Sequence, residues 1–467
     1  MSSQRHIAIL GAGPGGYVAA IRAAQLGARV TVIENQVLGG VCLNWGCIPS
    51  KALLAVVELG EKLKKADELG LQLPHPPVYD PVRMVARKNR IVSGLVKGIA
   101  TLLKRWGIVH VQGTGRLVNN QTIRVSSADG TETTIQADGV IIATGSSASA
   151  LPILPVDGVD VMTSREALDI PRIPGRLLII GGGVEGCEFA SLYAGLGSHV
   201  TIVETLPRLL PAEDEAVSTL IERELTRRRV RCVVDDLVTH VDRTASGIKA
   251  DLASGESLVC DAVLVAVGRR MNTAGIGLDE VGVTLGDAGE IVVNERLQTN
   301  VPGVFAIGDV VGGAMLAHVA SVQGKVAAAN LVGHAATMRY DVVPAGIFTL
   351  PEIGRVGLTE RQIREQGIAP RIGQYRYGGL GKAHAVGDTV GLVKILADPK
   401  TDRVLGAHLV GAHAADLVHE AALAMQLHAT VSQMATMIHA HPTHAEALME
   451  AAEDVDGLAI HLMGKRL

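Results

Sequence analysis

Ile7-Ala8-Ile9-Leu10-Gly11-Ala12-Gly13-Pro14-Gly15-Gly16 is a short apolar run that stops at a glycine-rich turn. An Ala-rich helical stretch to Leu26 follows, then a second apolar run, Arg29 to Ile33, that ends at Glu34. Strand, glycine turn, helix, strand and acid, in that order, predict a dinucleotide-binding fold. Gly11 allows the tight turn, Gly13 lets the backbone approach a pyrophosphate at the helix N-terminus, and Gly16 lets helix and strand pack closely. Glu34 is placed to accept hydrogen bonds from a ribose. A single copy of this pattern also fits an ordinary strand–turn–helix, but the pattern recurs. Leu177 to Ile180 leads into Gly181-Gly182-Gly183-Val184-Glu185-Gly186, and His199 to Val203 ends at Glu204. Gly11 to Glu34 and Gly181 to Glu204 are both 23 positions. Gly181, Gly183 and Gly186 therefore repeat the first set, and the chain is expected to bind two dinucleotides.

Between the copies lies Gly39-Gly40-Val41-Cys42-Leu43-Asn44-Trp45-Gly46-Cys47-Ile48-Pro49-Ser50-Lys51. The residues between the cysteines read as a short, turn-prone loop, which brings Cys42 and Cys47 within reach of a disulfide. Pro49 and Ser50 read as a helix start, whose dipole favours a thiolate at Cys47. Lys51, one turn on, adds a cation. Two small buried cysteines, or half of a metal site, fit the same residues. Zinc pairs prefer closer spacing and no second Cys/His pair follows nearby, so a redox pair is favoured. For a redox protein the economical pair of dinucleotides is FAD and a nicotinamide nucleotide. A carboxylate at Glu204 accepts a free ribose diol and repels a 2′-phosphate, which favours NAD, although Arg208 lies four residues on.

The cysteine stretch closely resembles the redox-active motif of dihydrolipoamide dehydrogenases, within the two-cysteine flavoprotein disulfide reductases. Further motifs extend the likeness over nearly the whole chain. Val140 to Ser146, with Thr144 and Gly145, resembles the exit from a first FAD segment. Ala262 to Gly268, followed by Arg269-Arg270-Met271-Asn272, resembles the return to it, with Met271 where proline is usual. Val304 to Asp309 is similar to the segment that sets an aspartate on the flavin ribityl chain. Met315 to His318 opens a helix, and the resemblance places its start, Ala317 and His318, at the flavin pyrimidine edge. Lys51 and Glu188 match the family's ion pair beside the flavin. His439-Ala440-His441-Pro442-Thr443-His444-Ala445-Glu446 matches a C-terminal motif whose histidine and glutamate, here His441 and Glu446, serve as catalytic base and orienting carboxylate across a dimer interface. Three close histidines raise a metal site, but Pro442 interrupts any helical pairing, so none is expected.

The resemblance implies an α/β chain with two Rossmann-like domains and a C-terminal α+β dimerisation domain. The expected boundaries are 1–148 for the first FAD segment, 149–270 for the NAD domain, 271–342 for the FAD return and 343–467 for dimerisation. It implies FAD and NAD as cofactors, Cys42 as the sulfur exchanging with a dithiol, and Cys47 as the one against the flavin. It also implies a homodimer that reoxidises dihydrolipoamide on a lipoyl domain or lipoyl carrier protein, as in 2-oxoacid dehydrogenase or glycine cleavage complexes. Val184, rather than a tyrosine lid, is expected to leave nicotinamide access open, and Glu185 stands where family members mostly have an apolar residue. Competing expectations are a related disulfide reductase with another substrate and a flavoprotein whose main role is docking. Transhydrogenases share Trp45 but lack the second cysteine.

Composition agrees. Apolar residues make up 48% and charged residues 19% of 467, enough for about three domains with real cores. A net charge of -4 and an aromatic share of 2% speak against nucleic acid and an acidic membrane surface. No apolar run of about 18 residues is read, so no membrane span is expected. The first strand begins within a few residues of Met1, leaving no room for a signal peptide. Cysteines 42, 47, 187, 232 and 260 make no secreted framework, which places the protein in the cytoplasm. Arg87 to Trp106 carries Ile91, Leu95, Ile99, Leu102 and Trp106 on one face, predicting a helix whose stripe faces the core.

Overall fold

The computed structural model describes residues 4–170 and 172–462. The first fold comprises β1 (His6–Leu10), α1 (Pro14–Gln25), β2 (Arg29–Glu34), α2 (Gly40–Trp45), α3 (Cys47–Lys64), α4 (Pro81–Arg105), β3 (Val109–Gln112), a meander β4 (Thr114–Leu117), β5 (Thr122–Ser126) and β6 (Glu132–Gln136), and β7 (Gly139–Ile142). The chain then passes through β8 (Ser146–Ala148) into β9 (Val161–Met162), α5 (Ser164–Ala167), β10 (Arg176–Ile180), α6 (Val184–Leu196), β11 (His199–Val203), α7 (Glu215–Arg227) and β12 (Arg231–Val233). A second meander, β13 (Val238–Thr244), β14 (Gly247–Leu252) and β15 (Ser257–Cys260), leads to β16 (Ala262–Val265). The return runs through β17 (Arg269–Met271), α8 (Leu278–Val281), β18 (Val304–Ala306) and α9 (Ala317–Leu331).

Each fold is a five-stranded parallel sheet, ordered β18-β7-β1-β2-β3 and β12-β11-β10-β16-β9. Strands β1 and β10 are central in their sheets and buried almost throughout, as parallel strands covered on both faces must be. In each case helices cover one face and a three-stranded meander the other. α1 and α9 close one side of the first sheet, and Leu117, Ile123 and Val125 of the meander close the other. Gly324 of α9 lies so near α1 that a Cβ there would stand 2.6 Å from the Gly15 carbonyl oxygen. The second fold hangs on a two-strand ribbon, β8 against β17, in which Ser147 pairs with Arg270.

The last unit is an antiparallel sheet, β19 (Ala345–Ile347), β20 (Ile353–Gly357), β21 (Arg371–Arg376), β22 (Leu392–Ala397) and β23 (Val404–Val410), ordered β19-β20-β23-β22-β21. Helices α10 (Glu360–Glu365) and α11 (Gly381–Val386) connect its strands, and α12 (Ala414–Gln426), α13 (Val431–Ala435) and α14 (Glu446–Asp454) follow it. A buried cation ties it to the second fold: Lys394 Nζ donates to Asp214 Oδ1 at 2.8 Å and to Glu360 Oε2 at 2.7 Å.

Three local expectations change. The segment between the cysteines is the short helix α2 rather than a loop. Left-handed Gly39 and Gly40 set its start, and the break at Gly46 lets α3 begin at Cys47 itself, two residues before Pro49. The apolar stripe of α4 does not all face the core. Ile99 is buried, as are Met84 and Leu103, but Leu95, Leu102 and Trp106 are 46%, 44% and 41% exposed. The face turned inward carries Met84, Lys88, Ile99 and Leu103, with Lys88 reaching under the second fold to the Leu168 carbonyl and Asp169. Past Tyr340 the sequence reads as strands at 347–349, 392–396 and 403–410 followed by helices; the first strand lies at 345–347, and β20 and β21 are two more that this reading lacks. Residues 40–64 together reach the length and apolarity of a membrane-crossing helix, but they are broken at Gly46, and Leu53, Leu54 and Val57 pack into the second fold's core.

Replacing Lys394 with Met would leave Asp214 buried without its cation. We expect a loss of about 3–5 kcal/mol, the scale for breaking a buried ion pair, read by urea denaturation of the holo-protein.

Candidate active site

Both fingerprints, the cysteine helix and the start of α9 line one cavity of about 1560 Å³. That exceeds the roughly 300–1,000 Å³ of a pocket for one small ligand and leaves room for two extended dinucleotides. Glycine geometry explains how the cavity stays open. Gly11 and Gly181 have φ of +100° and +108°, where a side chain would be strained, and a Cβ on either would press on a carbonyl of the neighbouring strand's end, Ala143 or Ala266. Gly16 and Gly186 do not line the cavity; a Cβ on each would stand 2.0 Å from the carbonyl oxygen of Gly11 or Gly181. They are where helix crosses strand. Gly13 and Gly183 face the cavity, at the N-caps of α1 and α6.

The terminal acids match residue for residue. Glu34 accepts from the Ala12 and Gln36 amides, both at 2.8 Å, and Glu204 accepts from Gly182 at 2.6 Å and Leu206 at 2.9 Å. Each carboxylate is thereby locked at the lip of its fingerprint, facing the cavity. Arg208 turns away from Glu204, donating to the Pro211 and Glu213 carbonyls at 3.2 and 3.4 Å. These residues fit the adenosine and pyrophosphate halves of two dinucleotides, because the cradles exist only without side chains.

Cys42 and Cys47 are joined as a disulfide, with Cα atoms 4.7 Å apart, and both line the cavity. Cys47 is the first residue of α3, so the free N–H groups of that helix's first turn surround it. One turn on, Lys51 Nζ donates to both oxygens of Glu188, at 2.9 and 2.7 Å, and sits 4.5 Å from the centre of the Phe348 ring. Glu188, buried on α6, also accepts from the Phe348 amide at 2.8 Å. Nothing in the sequence around Phe348 announced that contact. Another contact without a sequence signal is the guanidinium of Arg165 stacked 4.2 Å from the Trp45 ring.

At the far end, Asp309 accepts from Ser146 Oγ, which in turn accepts from Arg269 Nε at 2.7 Å. Thr144 and Asn272 clasp each other, Thr144 Oγ1 donating to the Asn272 carbonyl and Asn272 Nδ2 to the Thr144 carbonyl. Gly145 and Gly268, both with positive φ, line the cavity on either side of the ribbon. Ala317 also lines it, at the first position of α9. His318 does not: its Nε2 lies 2.8 Å from the Pro344 carbonyl oxygen and its side chain is outside the cavity.

His441 and Glu446 are brought together, Nδ1 to Oε1 at 2.8 Å, but outside the cavity. Burial disfavours the charge of Glu446, yet the Thr443 amide and the His441 ring outweigh it and hold the carboxyl below its usual range. His441 is exposed in the single chain, at 74% of its side chain. The neighbouring histidines diverge. His439 meets Glu420 Oε1 at 3.0 Å, while His444 is buried against Tyr377 and His413. Among the described residues no group of three His, Cys, Asp or Glu side chains is arranged around a metal position.

The chain matches the pyridine nucleotide-disulphide oxidoreductase family over residues 5–324 and that family's dimerisation domain over residues 343–452. It belongs to that family, and is an FAD- and NAD-dependent oxidoreductase with a disulfide redox centre and a dimerisation domain. Among its relatives are the mitochondrial dihydrolipoyl dehydrogenase of Pisum sativum, 39% identical over 99% of this chain and 93% of that protein, and the dihydrolipoyl dehydrogenase of Bacillus subtilis (strain 168), 40% identical over 97% and 99%. The solved structure of LpdA from Mycobacterium tuberculosis superposes with a TM-score of 0.91 at 30% identity, covering 97% of this chain and 99% of that one.

Alkylation of unreduced, denatured protein should modify Cys187, Cys232 and Cys260 alone, with Cys42 and Cys47 added after reduction. In the native protein at neutral pH the three should stay unmodified. Burial pushes the Cys187 thiol far up and those of Cys232 and Cys260 to about 11, and mass spectrometry reads the difference.

Proposed function

We propose that this chain is a dihydrolipoyl dehydrogenase: it oxidises a dihydrolipoyl group to the cyclic disulfide and reduces NAD⁺, as a homodimer. The carrying observation is the Cys42–Cys47 disulfide at the start of α3, in one cavity with both dinucleotide cradles. The names of the relatives supply the substrate class. On this reading FAD lies on the first fold, against Gly11, Gly13, Glu34, Gly145 and Asp309, and NAD on the second, against Gly181, Gly183 and Glu204. The domain boundaries 1–148, 149–270, 271–342 and 343–467 follow the same division. When bound, the flavin supplies two-electron transfer between the cysteine pair and the nicotinamide.

The chain's own groups do the rest. The partner subunit's His441 accepts a proton from the incoming dithiol, and its Glu446 fixes the ring's tautomer and raises its basicity. The resulting thiolate attacks Cys42, forming a mixed disulfide and releasing Cys47 as a thiolate. The N–H groups at the start of α3 and the Lys51 cation stabilise that charge. The second substrate thiol then attacks the mixed disulfide, closing the lipoyl ring and freeing Cys42. Glu188 keeps Lys51 pointed into the cavity. The start of α9, at Ala317, offers its dipole to negative charge on a reduced flavin. The substrate is presented by a lipoyl domain or lipoyl carrier protein, of the kind found in 2-oxoacid dehydrogenase or glycine cleavage complexes. Three unpaired cysteines suit a reducing compartment, and we place the enzyme in the cytoplasm.

A steady-state assay with dihydrolipoamide and NAD⁺, run beside glutathione disulfide and NADPH, tests the reading; turnover with the second pair alone rejects it. Cys42→Ser should abolish dithiol oxidation while leaving NADH reduction of added dyes largely intact. His441→Gln should lower dithiol turnover by roughly 10²-fold or more, the scale of a lost general base; an unchanged rate would remove the dyad from the mechanism.

A further inference from the structure

One carboxyl in the cavity has no counterpart in the mechanism above. Glu185 sits in the first turn of α6, one helical turn before Glu188 and on the same face, and lines the cavity. Its Oε1 is buried and has no hydrogen-bond partner. A buried polar atom left unpaired is destabilising, so its retention calls for a partner that arrives from outside the chain. The groups around it are few. Ser164 of α5 is its polar neighbour, Arg269 of β17 is the nearby cation and Glu188 the nearby anion. Arg269 is already committed to Ser146, and Glu188 to Lys51 and the Phe348 amide. Burial pushes the Glu185 carboxyl above its usual value, against the pull of Ser164 and Arg269 and with help from Glu188.

Position identifies the missing partner. Gly181 and Gly183, which cradle the pyrophosphate, lie immediately before Glu185, and Lys51–Glu188, beside the redox pair, lies one turn beyond. A dinucleotide laid along this path passes Glu185 with its nicotinamide half. An unpartnered carboxyl oxygen is an acceptor, and the N–H₂ of a primary carboxamide is a matching donor. We propose that Glu185 is a positioning residue for the second dinucleotide, hydrogen-bonding the nicotinamide carboxamide through its free carboxyl oxygen. This rests on reading that dinucleotide as NAD, and not on the identity of the dithiol. A leucine or isoleucine at 185 would fill the volume but leave the carboxamide without this partner. Glutamine would keep an acceptor oxygen at the same reach.

Calorimetric titration of the oxidised FAD holo-protein with NAD⁺, and in parallel with ADP-ribose, separates nicotinamide contacts from those of the rest of the dinucleotide. Glu185→Leu should weaken NAD⁺ by about tenfold, the scale of one hydrogen bond, and leave ADP-ribose unchanged. Glu185→Gln should restore NAD⁺ affinity to within about threefold of the unaltered protein. Equal affinity of the leucine variant and the unaltered protein for NAD⁺ overturns the assignment. So does a loss shared equally by ADP-ribose, which would mark a merely structural residue. No dithiol enters the experiment, so failure of the lipoyl reading leaves it standing. An unaltered holo-protein that binds no NAD⁺ overturns both this assignment and the NAD reading.

Discussion

Glu188 is where three parts of the chain are held in register. It stands on α6 of the second fold, accepts both bonds of Lys51 from the redox helix of the first, and accepts the Phe348 amide from the segment leading into the last sheet. A carboxylate this deeply buried is tolerated only when its charge and its lone pairs are matched. Here each of the three contributors is necessary to that match. Satisfying this one side chain thus helps fix Cys47 and the α6 cradle relative to each other, together with the packing of Leu53, Leu54 and Val57 into the second fold's core. Lys88 and Lys394 repeat the device at greater distance, each reaching from one unit to acids or carbonyls of another.

The second constraint is steric. The cavity exists because backbone approaches backbone at Gly11, Gly16, Gly181 and Gly186 with no room for a Cβ. Glu34 and Glu204 then hold the loops that follow their strands by bonding amides on either side. The two folds repeat each other in sheet order, in the meander on the reverse face, and in these carboxylate ties. Where they differ is at the helix start, Pro14-Gly15-Gly16 in one and Val184-Glu185-Gly186 in the other. The second thereby gains a carboxyl facing the cavity.

Much of this is legible in the chain alone. The boundaries of β1, β2, β10 and β11 fall within a residue of expectation, because apolar strands against glycine turns are strongly punctuated. The family resemblance also held over almost the full length. The His441–Glu446 contact follows from a local motif closed around Pro442. What was not legible depended on tertiary context. Six residues, Gly40 to Trp45, carry no helix periodicity of their own, and α2 forms because Gly39 and Gly46 punctuate it. The stripe on α4 does not reveal that the buried face includes Lys88, whose carbonyl partner lies 80 positions on. β20 and β21 contain Gly354, Gly357 and Gly373, which weakened their pattern. The Phe348 amide at Glu188 is a backbone contact across 160 positions, which no side-chain pattern encodes.

The ribbon of β8 and β17 carries an evolutionary meaning. The chain leaves the first fold at Ser146–Ala148 and re-enters it at Arg269–Met271, and those two crossings are hydrogen-bonded neighbours. Everything between them is an insertion whose ends lie side by side, spliced into a host fold that closes its own sheet with β18. Such a graft leaves the host's connectivity unstretched, so a duplicated gene segment could be lodged there without refolding what received it.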